Sequence, residues 1–148
     1  MKPMLKGKVI IVGIGNSLRC DDGFGPALIK MLEDKSDMVC IDAGSAPENY
    51  LGKIVKLNPD TVLIVDAVHL GLKPGEYEIL KKKDIVKSGF TTHDISPNMF
   101  IEYLENNTKA DIYMLGVQPI DVSFGEGMSD HMERALKKCT KLILSSRL

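Results

Sequence analysis

The 148-residue sequence lacks most of the features that would assign it to a specialised class of protein. Its three cysteines, Cys20, Cys40 and Cys139, are an odd number at unrelated spacings and form no C-x-x-C motif, which argues against a disulfide framework and a structural zinc site. No run approaches the roughly 18 apolar residues of a membrane span. The first residues also lack the long apolar stretch of a signal peptide. We therefore expect a cytoplasmic protein with reduced thiols.

An excess of charge of either sign is also absent. The formal net charge is −1 and the isoelectric point is about 6.3, with both signs mixed along the chain. This balance gives no electrostatic reason to expect a nucleic acid or an anionic membrane as partner. The length fits one domain with a proper hydrophobic core, and no repeat or low-complexity segment interrupts it. We expect a single domain spanning residues 1–148.

The motifs of several well-known catalytic sites are missing. There is no G-x-S-x-G nucleophile elbow, and Ser45 lacks the flanking glycine pair of that motif. The H-E-x-x-H motif and the lysine–serine pair of a phosphate-binding loop are absent as well. Cys20 stands beside two acids, which disfavour its thiolate, so a small residue in a tight loop is the preferred interpretation.

What the sequence does contain is a distinctive opening at residues 8–25. Residues 9–12 are four β-branched side chains in a row, which predicts a strand buried on both faces. Gly13 and Gly15 then permit a sharp turn, and Pro26 suits the first turn of a following helix. Between the glycines and this helix lie the polar residues Asn16, Asp21 and Asp22. This order predicts a site at the carboxyl end of a strand, where open α/β sheets bind their ligands.

The remainder of the chain alternates between predicted helices and predicted strands. Helices are expected at about residues 26–34, 48–56 and 129–144, and from Pro97 after a Ser96 cap, with Met99, Phe100, Tyr103 and Leu104 facing inward. Strands are expected at residues 38–41, 61–65 and 111–117, with an edge strand at 76–80. Residues 81–95 are interpreted as a functional loop. This alternation predicts an α/β fold, a three-layer α/β/α sandwich with a mostly parallel twisted sheet.

A dinucleotide site is one interpretation of the glycine turn. The G-x-G at residues 13–15 matches the start of the dinucleotide fingerprint, and Asp42 at the end of the second strand is placed to bind a ribose. However, Leu18 occupies the third glycine position of the fingerprint. Asp21 and Asp22 would also repel a pyrophosphate at close range. The dinucleotide interpretation therefore stays an alternative.

A metal site is the second interpretation. Asp22 and Asp66 each follow a buried strand, and His93 lies in the predicted functional loop. Two carboxylates and one imidazole with open positions suit a borderline divalent ion such as nickel, zinc, iron or manganese. His69 is an equal rival to His93, whereas His131 is expected on the surface of the last helix. In the alternative without a metal, Asp22 stabilises a helix N-terminus and the other residues are ordinary strand-end and loop residues.

Five short segments, taken in order, resemble one known family. They are G-x-G-N at residues 13–16, D-D-G-x-G at 21–25, D-x-G-S-A-P-E-N at 42–49, V-D-A at 65–67 and T-T-H at 91–93. Together they resemble the hydrogenase maturation endopeptidases, which remove a C-terminal extension from the large-subunit precursor of NiFe-hydrogenase. Residues 45–49 resemble the branch that serves hydrogenlyase-type enzymes.

This resemblance implies a fold, a set of metal ligands and a substrate. The fold is a twisted sheet between helices, and the implied ligands are Asp22, Asp66 and His93, so His93 is preferred over His69. Residues implied to bind substrate near the cleft are Asn16, Asp42 and Gly44. The implied metal is nickel already seated in the substrate, for which other divalent ions substitute.

The resemblance leaves the catalytic chemistry open. The family counts as aspartyl-type endopeptidases but has no established nucleophile, so the catalytic residues stay unknown. The bound ion activating a water molecule or polarising the scissile carbonyl is chemically reasonable. The implied partner is the hydrogenase large-subunit precursor. The alternative function is a nickel-binding or metal-sensing module without peptidase activity.

Overall fold

A five-stranded sheet forms the centre of the fold in the computed structural model, which describes residues 2–88 and 97–148, without the side chains of residues 86–88, 97 and 98. The strands are β1 (Val9–Ile14), β2 (Val39–Gly44), β3 (Thr61–Ala67), β4 (Tyr77–Lys81) and β5 (Asp111–Val117). Their order across the sheet is β2-β1-β3-β5-β4. β4 is antiparallel to β5, whereas the other pairs are parallel. The predicted mostly parallel sheet and its edge strand are confirmed.

Helices cover both faces of this sheet and complete the three predicted layers. They are α1 (Phe24–Leu32), α2 (Leu51–Leu57), α3 (Lys82–Ser88), α4 (Pro97–Asn107) and α5 (Asp130–Ser145). Residues of α1 and α5 share one core cluster with one face of the sheet. Residues of α2, α3 and α4 form a second cluster on the other face. Within the described part of the chain, no helix is long and apolar enough to cross a bilayer.

The central strands are buried on both faces, as their composition predicts. Every residue of β1 and of β3 is buried. Val9, Ile11 and Leu63 belong to one core cluster, whereas Ile10 and Val62 belong to the other. Parallel strands covered by helices on both sides need an unbroken apolar run rather than an alternating one. This is why these strands were detectable from sequence.

The prediction of a loop over residues 81–95 was wrong for its first half. Lys81 is the last residue of β4, and the residues that follow it form the helix α3. Lysine and aspartate are compatible with an exposed helix, and the buried side chain of Ile85 anchors the helix to the core. A run of charges therefore marked a solvated helix face rather than a loop. Residues 89–95 lie outside the described residues.

The inward face of α4 also differs from the prediction, although its start at Pro97 is confirmed. Phe100 and Leu104 are buried as expected. Met99 and Tyr103 are exposed, and Ile101 is buried in their place. The buried stripe therefore lies one position further along the helix than predicted. An unbranched methionine and an amphipathic tyrosine tolerate water at the edge of such a stripe.

Two glycines allow α1 to start directly against the end of β1. A Cβ atom on Gly25 would overlap the carbonyl oxygen of Ile14. A Cβ atom on Gly13 would lie 2.5 Å from the carbonyl oxygen of Gly25. Both clashes involve backbone atoms, which have little room to move. This close approach holds the loop between β1 and α1 over the end of the sheet.

We expect Gly25→Ala to lower the free energy of unfolding by about 2–3 kcal/mol, because the added methyl group forces the backbones of β1 and α1 apart. Urea unfolding followed by circular dichroism measures this change. Gly52→Ala in α2 is the matched control, since no atom lies within 4 Å of its Cβ position. That exposed helical site should gain about 0.5–1 kcal/mol. Equal changes in the free energy of unfolding for the two variants would contradict the close approach of β1 and α1.

Candidate active site

The sheet has one topological switch point, between the carboxyl ends of β1 and β3. The chain leaves β1 through α1 to reach β2 on one side, and leaves β2 through α2 to reach β3 on the other side. The helices α1 and α2 belong to core clusters on opposite faces. In open α/β sheets, helices that leave in opposite directions in this way flank the crevice in which ligands bind, at the carboxyl edge.

Asp22 lies in this crevice region, on the loop that follows β1. It belongs to the 3-10 turn Cys20–Gly23, which packs beside β3. The side chain is half-buried, and its Oδ2 accepts a hydrogen bond of 2.9 Å from the backbone N–H of Asn16. The carboxylate is thus oriented by the same loop that carries it.

Asp66 occupies the next strand at the same edge and is completely buried. Val65 pairs with Gly13, so Asp66 lies one residue further, beside the end of β1. Side chains alternate along a strand, and Ile64 belongs to the core cluster of α2 and α4. Asp66 is therefore directed to that face of the sheet. A carboxylate is costly to bury, so this position indicates a specific role rather than packing.

The structure thus places two of the three predicted metal ligands, Asp22 and Asp66, at the same switch point. His93 lies outside the described residues. Among residues 2–88 and 97–148, no group of three or more His, Cys, Asp or Glu side chains is arranged to hold a metal ion. The complete ligand set therefore stays a prediction. His131 is exposed on α5, as expected.

The rival histidine, His69, follows β3 and is exposed. Its Nδ1 lies 3.3 Å from Nε2 of the buried Gln118. The Oε1 of Gln118 accepts hydrogen bonds from the backbone N–H groups of Leu70, at 2.6 Å, and Leu72. Gln118 therefore orders the segment after β3. Its role was not predicted, because a glutamine after a strand gives no local signal of partners nearly 50 residues away.

The three predicted substrate-binding residues lie at the ends of β1 and β2. Asp42 is exposed, and its Oδ1 accepts a 3.0 Å hydrogen bond from the N–H of Gly44. The carbonyl of Gly44 accepts a 2.8 Å hydrogen bond from Gly15, and no atom lies within 4 Å of the Cβ position of Gly44. Asn16 uses its Oδ1 to accept from the N–H of Leu18. These residues share the edge with Asp22, and their role in substrate binding stays a prediction.

The neighbouring acid, Asp21, has a structural role that the sequence did not reveal. Its carboxylate is fully buried and accepts backbone N–H hydrogen bonds from Ile120 at 2.8 Å, Asp121 at 3.3 Å and Ser129 at 2.8 Å. It also accepts the hydroxyl hydrogen bond of Ser129 at 3.1 Å. Asp21 therefore fixes the loop that carries Asp22 to the segment between β5 and α5. We call residues 118–129 the wall segment.

Backbone hydrogen bonds strengthen the same connection. The N–H of Cys20 donates to the carbonyl of Gly125 at 2.8 Å, and the N–H of Gly125 donates to Leu18 at 2.7 Å. The N–H of Asp21 donates to Asp121 at 2.9 Å. Cys20 has a positive φ of 49°, and its Sγ lies 3.2 Å from the Cβ position of Gly125. The tight environment agrees with the interpretation of Cys20 as a small loop residue.

The other two thiols are poor nucleophiles. Burial raises the pKa of the Cys139 thiol to about 12. Burial, followed by the negative charge of Glu33, also raises the pKa of the Cys40 thiol. Because the thiolate is the reactive form, these shifts disfavour both thiols as nucleophiles. Neither thiol lies at the switch point, since Cys40 pairs with Ile11 in the middle of β1 and Cys139 belongs to α5.

The fold and the site define a class of α/β protein with an acidic crevice at the switch point of its sheet. A family model described as "HycI: Hydrogenase maturation protease" matches residues 25–146. The chain therefore belongs to the hydrogenase maturation protease family and is a peptidase. This confirms the resemblance found in the sequence.

Individual relatives agree with this assignment. The chain is 37% identical over 131 residues to a protein named "Hydrogenase 3 maturation protease" from Escherichia coli K12, covering 86% of this chain and 83% of the relative. The crystal structure of a NiFe hydrogenase maturation protease HycI from Thermococcus kodakarensis KOD1 superimposes with a TM-score of 0.86 at 30% identity, covering 94% and 91% of the two chains. The solution structure of the endopeptidase HycI from Escherichia coli gives a TM-score of 0.79 at 33% identity, covering 91% and 88%.

Proposed function

We propose that this peptidase removes the C-terminal extension of a NiFe-hydrogenase large-subunit precursor and recognises the nickel bound in that precursor. Its membership of the hydrogenase maturation protease family supports the reaction. The position of Asp22 and Asp66 at one switch point supports the metal. The second observation carries the proposal, because the carboxylates of Asp22 and Asp66 would offer two anionic oxygen ligands at the edge where such folds bind their substrates.

The donor chemistry fits a nickel ion that arrives with the substrate. Two carboxylates from Asp22 and Asp66, with the imidazole of His93, are hard and borderline ligands that suit a divalent ion with open positions. No thiolate belongs to the proposed set, so its affinity for a free ion should be modest. An ion held in a folded precursor adds protein contacts to the metal bonds. Such a set therefore favours a metal-loaded protein over the metal alone.

Each carboxylate has a separate task in this proposal. The N–H of Asn16 fixes the carboxylate of Asp22 within the loop that follows β1. Asp66 is held by a central strand, whose backbone pairs with neighbours on both sides and gives a rigid platform. An ion held by Asp22 and Asp66 would supply Lewis-acid chemistry at the scissile peptide. The nucleophile is not assigned to any side chain.

Mass spectrometry of a nickel-loaded precursor tests the reaction itself. Incubation with this protein should shorten the precursor by a short C-terminal peptide. The same precursor lacking its tail is the control and should keep its mass. Binding of nickel-loaded precursor without any loss of mass would instead support the alternative, a nickel-binding or metal-sensing module.

We expect the metal to act as a checkpoint, so that nickel-loaded precursor is processed at least roughly a hundredfold faster than nickel-free precursor. Single-turnover cleavage of the two forms, with and without chelator, measures this ratio. Efficient cleavage of the nickel-free form in chelator would rule out the checkpoint. If nickel-free precursor is cleaved and chelator abolishes that cleavage, the metal is resident in the enzyme.

A further inference from the structure

Three exposed apolar side chains lie on the segments that border the candidate site. Phe124 is 83% exposed, Ile120 is 50% exposed and Leu18 is 48% exposed. Scattered exposed apolar residues are normal on a protein surface. Here a phenylalanine is almost entirely in water, and two further exposed apolar side chains lie on neighbouring segments of the same hydrogen-bonded region. Grouped exposure of this kind is typical of interaction sites. We call Leu18, Ile120 and Phe124 the apolar rim.

The backbone beneath the apolar rim is fixed. Gly125, next to Phe124, exchanges hydrogen bonds with Leu18 and Cys20. The N–H of Ile120 donates to the buried carboxylate of Asp21. The side chain of Arg19 donates to the carbonyl of Val122 at 3.0 Å. Because the backbone is held on both sides of Phe124, binding here would cost little backbone conformational entropy.

The apolar rim is continuous with the candidate site. Asp22 follows the anchored residues Cys20 and Asp21 directly, within the same 3-10 turn. A peptidase must hold a polypeptide across its site, and the apolar rim lies on segments hydrogen-bonded to the turn that carries Asp22. A second copy of this protein on the rim would instead cover the turn that carries Asp22. The position therefore favours the substrate as the occupant.

We infer that the apolar rim docks the polypeptide substrate beside its scissile bond, with Phe124 as the anchor. This inference rests on the proposed site at Asp22 and Asp66. The occupant is a segment of the precursor with apolar side chains, which cover the ring of Phe124 and the side chains of Leu18 and Ile120. Aromatic anchors surrounded by smaller apolar contacts carry most of the binding energy in protein interfaces.

The experiment compares Phe124→Ala with wild type, using the nickel-loaded large-subunit precursor as probe. Burying a phenylalanine predicts that both the KM and the Kd for the precursor rise about ten- to a hundredfold. The kcat should stay within about twofold, because the ring does not touch the reacting atoms. Thermal unfolding should be unchanged, since the side chain is already in water. Phe124→Leu should recover part of the affinity.

Met4→Ala is the matched control, because Met4 is 58% exposed at the opposite end of the sheet. Lys6 nearby is hydrogen-bonded to Thr61, the first residue of β3, which places Met4 at the amino edge. Met4→Ala should match wild type in KM and Kd.

The outcomes separate the docking surface from the reaction. Equal Kd and KM for wild type and Phe124→Ala would overturn the docking surface, even if processing is efficient. Binding that depends on Phe124, without cleavage by wild type, would support the rim and contradict the proposed function. A wild-type dimer that Phe124→Ala dissociates in sedimentation, with no change in Kd for the precursor, would assign the rim to a second copy and overturn the inference.

Discussion

Asp22→Asn, Asp66→Asn and His93→Ala should each slow processing of nickel-loaded precursor more than about a hundredfold. Loss of a group that only orients a metal ligand commonly costs 10- to 100-fold, so loss of a ligand itself should cost more. An asparagine keeps the shape of the aspartate but removes the charge that is proposed to bind the ion. Initial rates of tail removal, followed by mass spectrometry, measure the effect.

The same three variants should remain folded. Asp22 is half-buried and makes its hydrogen bond at the edge of an open crevice, so an asparagine oxygen can replace it. Asp66→Asn keeps the size of a fully buried side chain and removes a charge that is costly to bury. Urea unfolding should therefore show at most small losses for Asp22→Asn and Asp66→Asn. A large loss for Asp66→Asn would assign that residue a structural role instead.

Cys20→Ala is the control for these variants, because it changes the same turn without removing a proposed ligand. The cysteine side chain is half-buried in a tight loop. We expect this variant to keep near wild-type processing. Loss of activity in a folded Cys20→Ala protein would show that the thiol contributes to the reaction.

Asp21→Ala should cost about 4 kcal/mol or more of the free energy of unfolding. The substitution leaves the three backbone N–H groups of Ile120, Asp121 and Ser129 without their acceptor, each at a cost of about 1–3 kcal/mol. It also releases the hydroxyl of Ser129. A loss of this size approaches the entire stability of a small domain. Denaturant unfolding measures it directly.

The neighbouring variant Asp22→Asn provides the contrast for Asp21. Substitution of Asp21 should lower stability, because its carboxylate holds the fold. Substitution of Asp22 should lower activity in a stable protein, because Asp22 is proposed to hold the metal. Asp21→Asn should be intermediate, because its amide offers one acceptor oxygen and turns two donors towards N–H groups. An Asp21→Ala protein within about 1 kcal/mol of wild type would contradict the structural role of this carboxylate.

The strands and layers of the fold were predictable because their signals are local. The buried strands β1, β3 and β5 each carry a continuous apolar run, which needs no knowledge of distant partners. The amphipathic pattern of α5 gave its extent to within a residue or two, and Ser129 occupies its N-cap position. The exact face of α4 was not predictable, because apolar residues at 99–101, 103 and 104 allow two overlapping helical stripes, and only packing against the sheet selects between them.

The site was predictable only in part. Asp22 and Asp66 were chosen from their positions after strands, and the parallel sheet does bring those strand ends to one edge. The different roles of Asp21 and Asp22 could not be predicted, because two adjacent aspartates cannot be distinguished in a sequence until their hydrogen-bond partners are known. The partners of Asp21 are 99 to 108 residues away along the chain. No pattern of spacing around Asp21 indicates them.

The connection between the loop at Asp21 and the wall segment has a consequence for the order of biosynthesis. The ribosome completes residues 118–129 after every proposed metal ligand has been made. Until that segment folds onto Asp21, the turn carrying Asp22 lacks the hydrogen bonds that fix it. A growing chain therefore contains all of its proposed metal ligands before the turn that carries Asp22 is fixed. Through the buried carboxylate of Asp21, the ordering of the turn at Asp22 depends on a segment synthesised 99 to 108 residues later than Asp21.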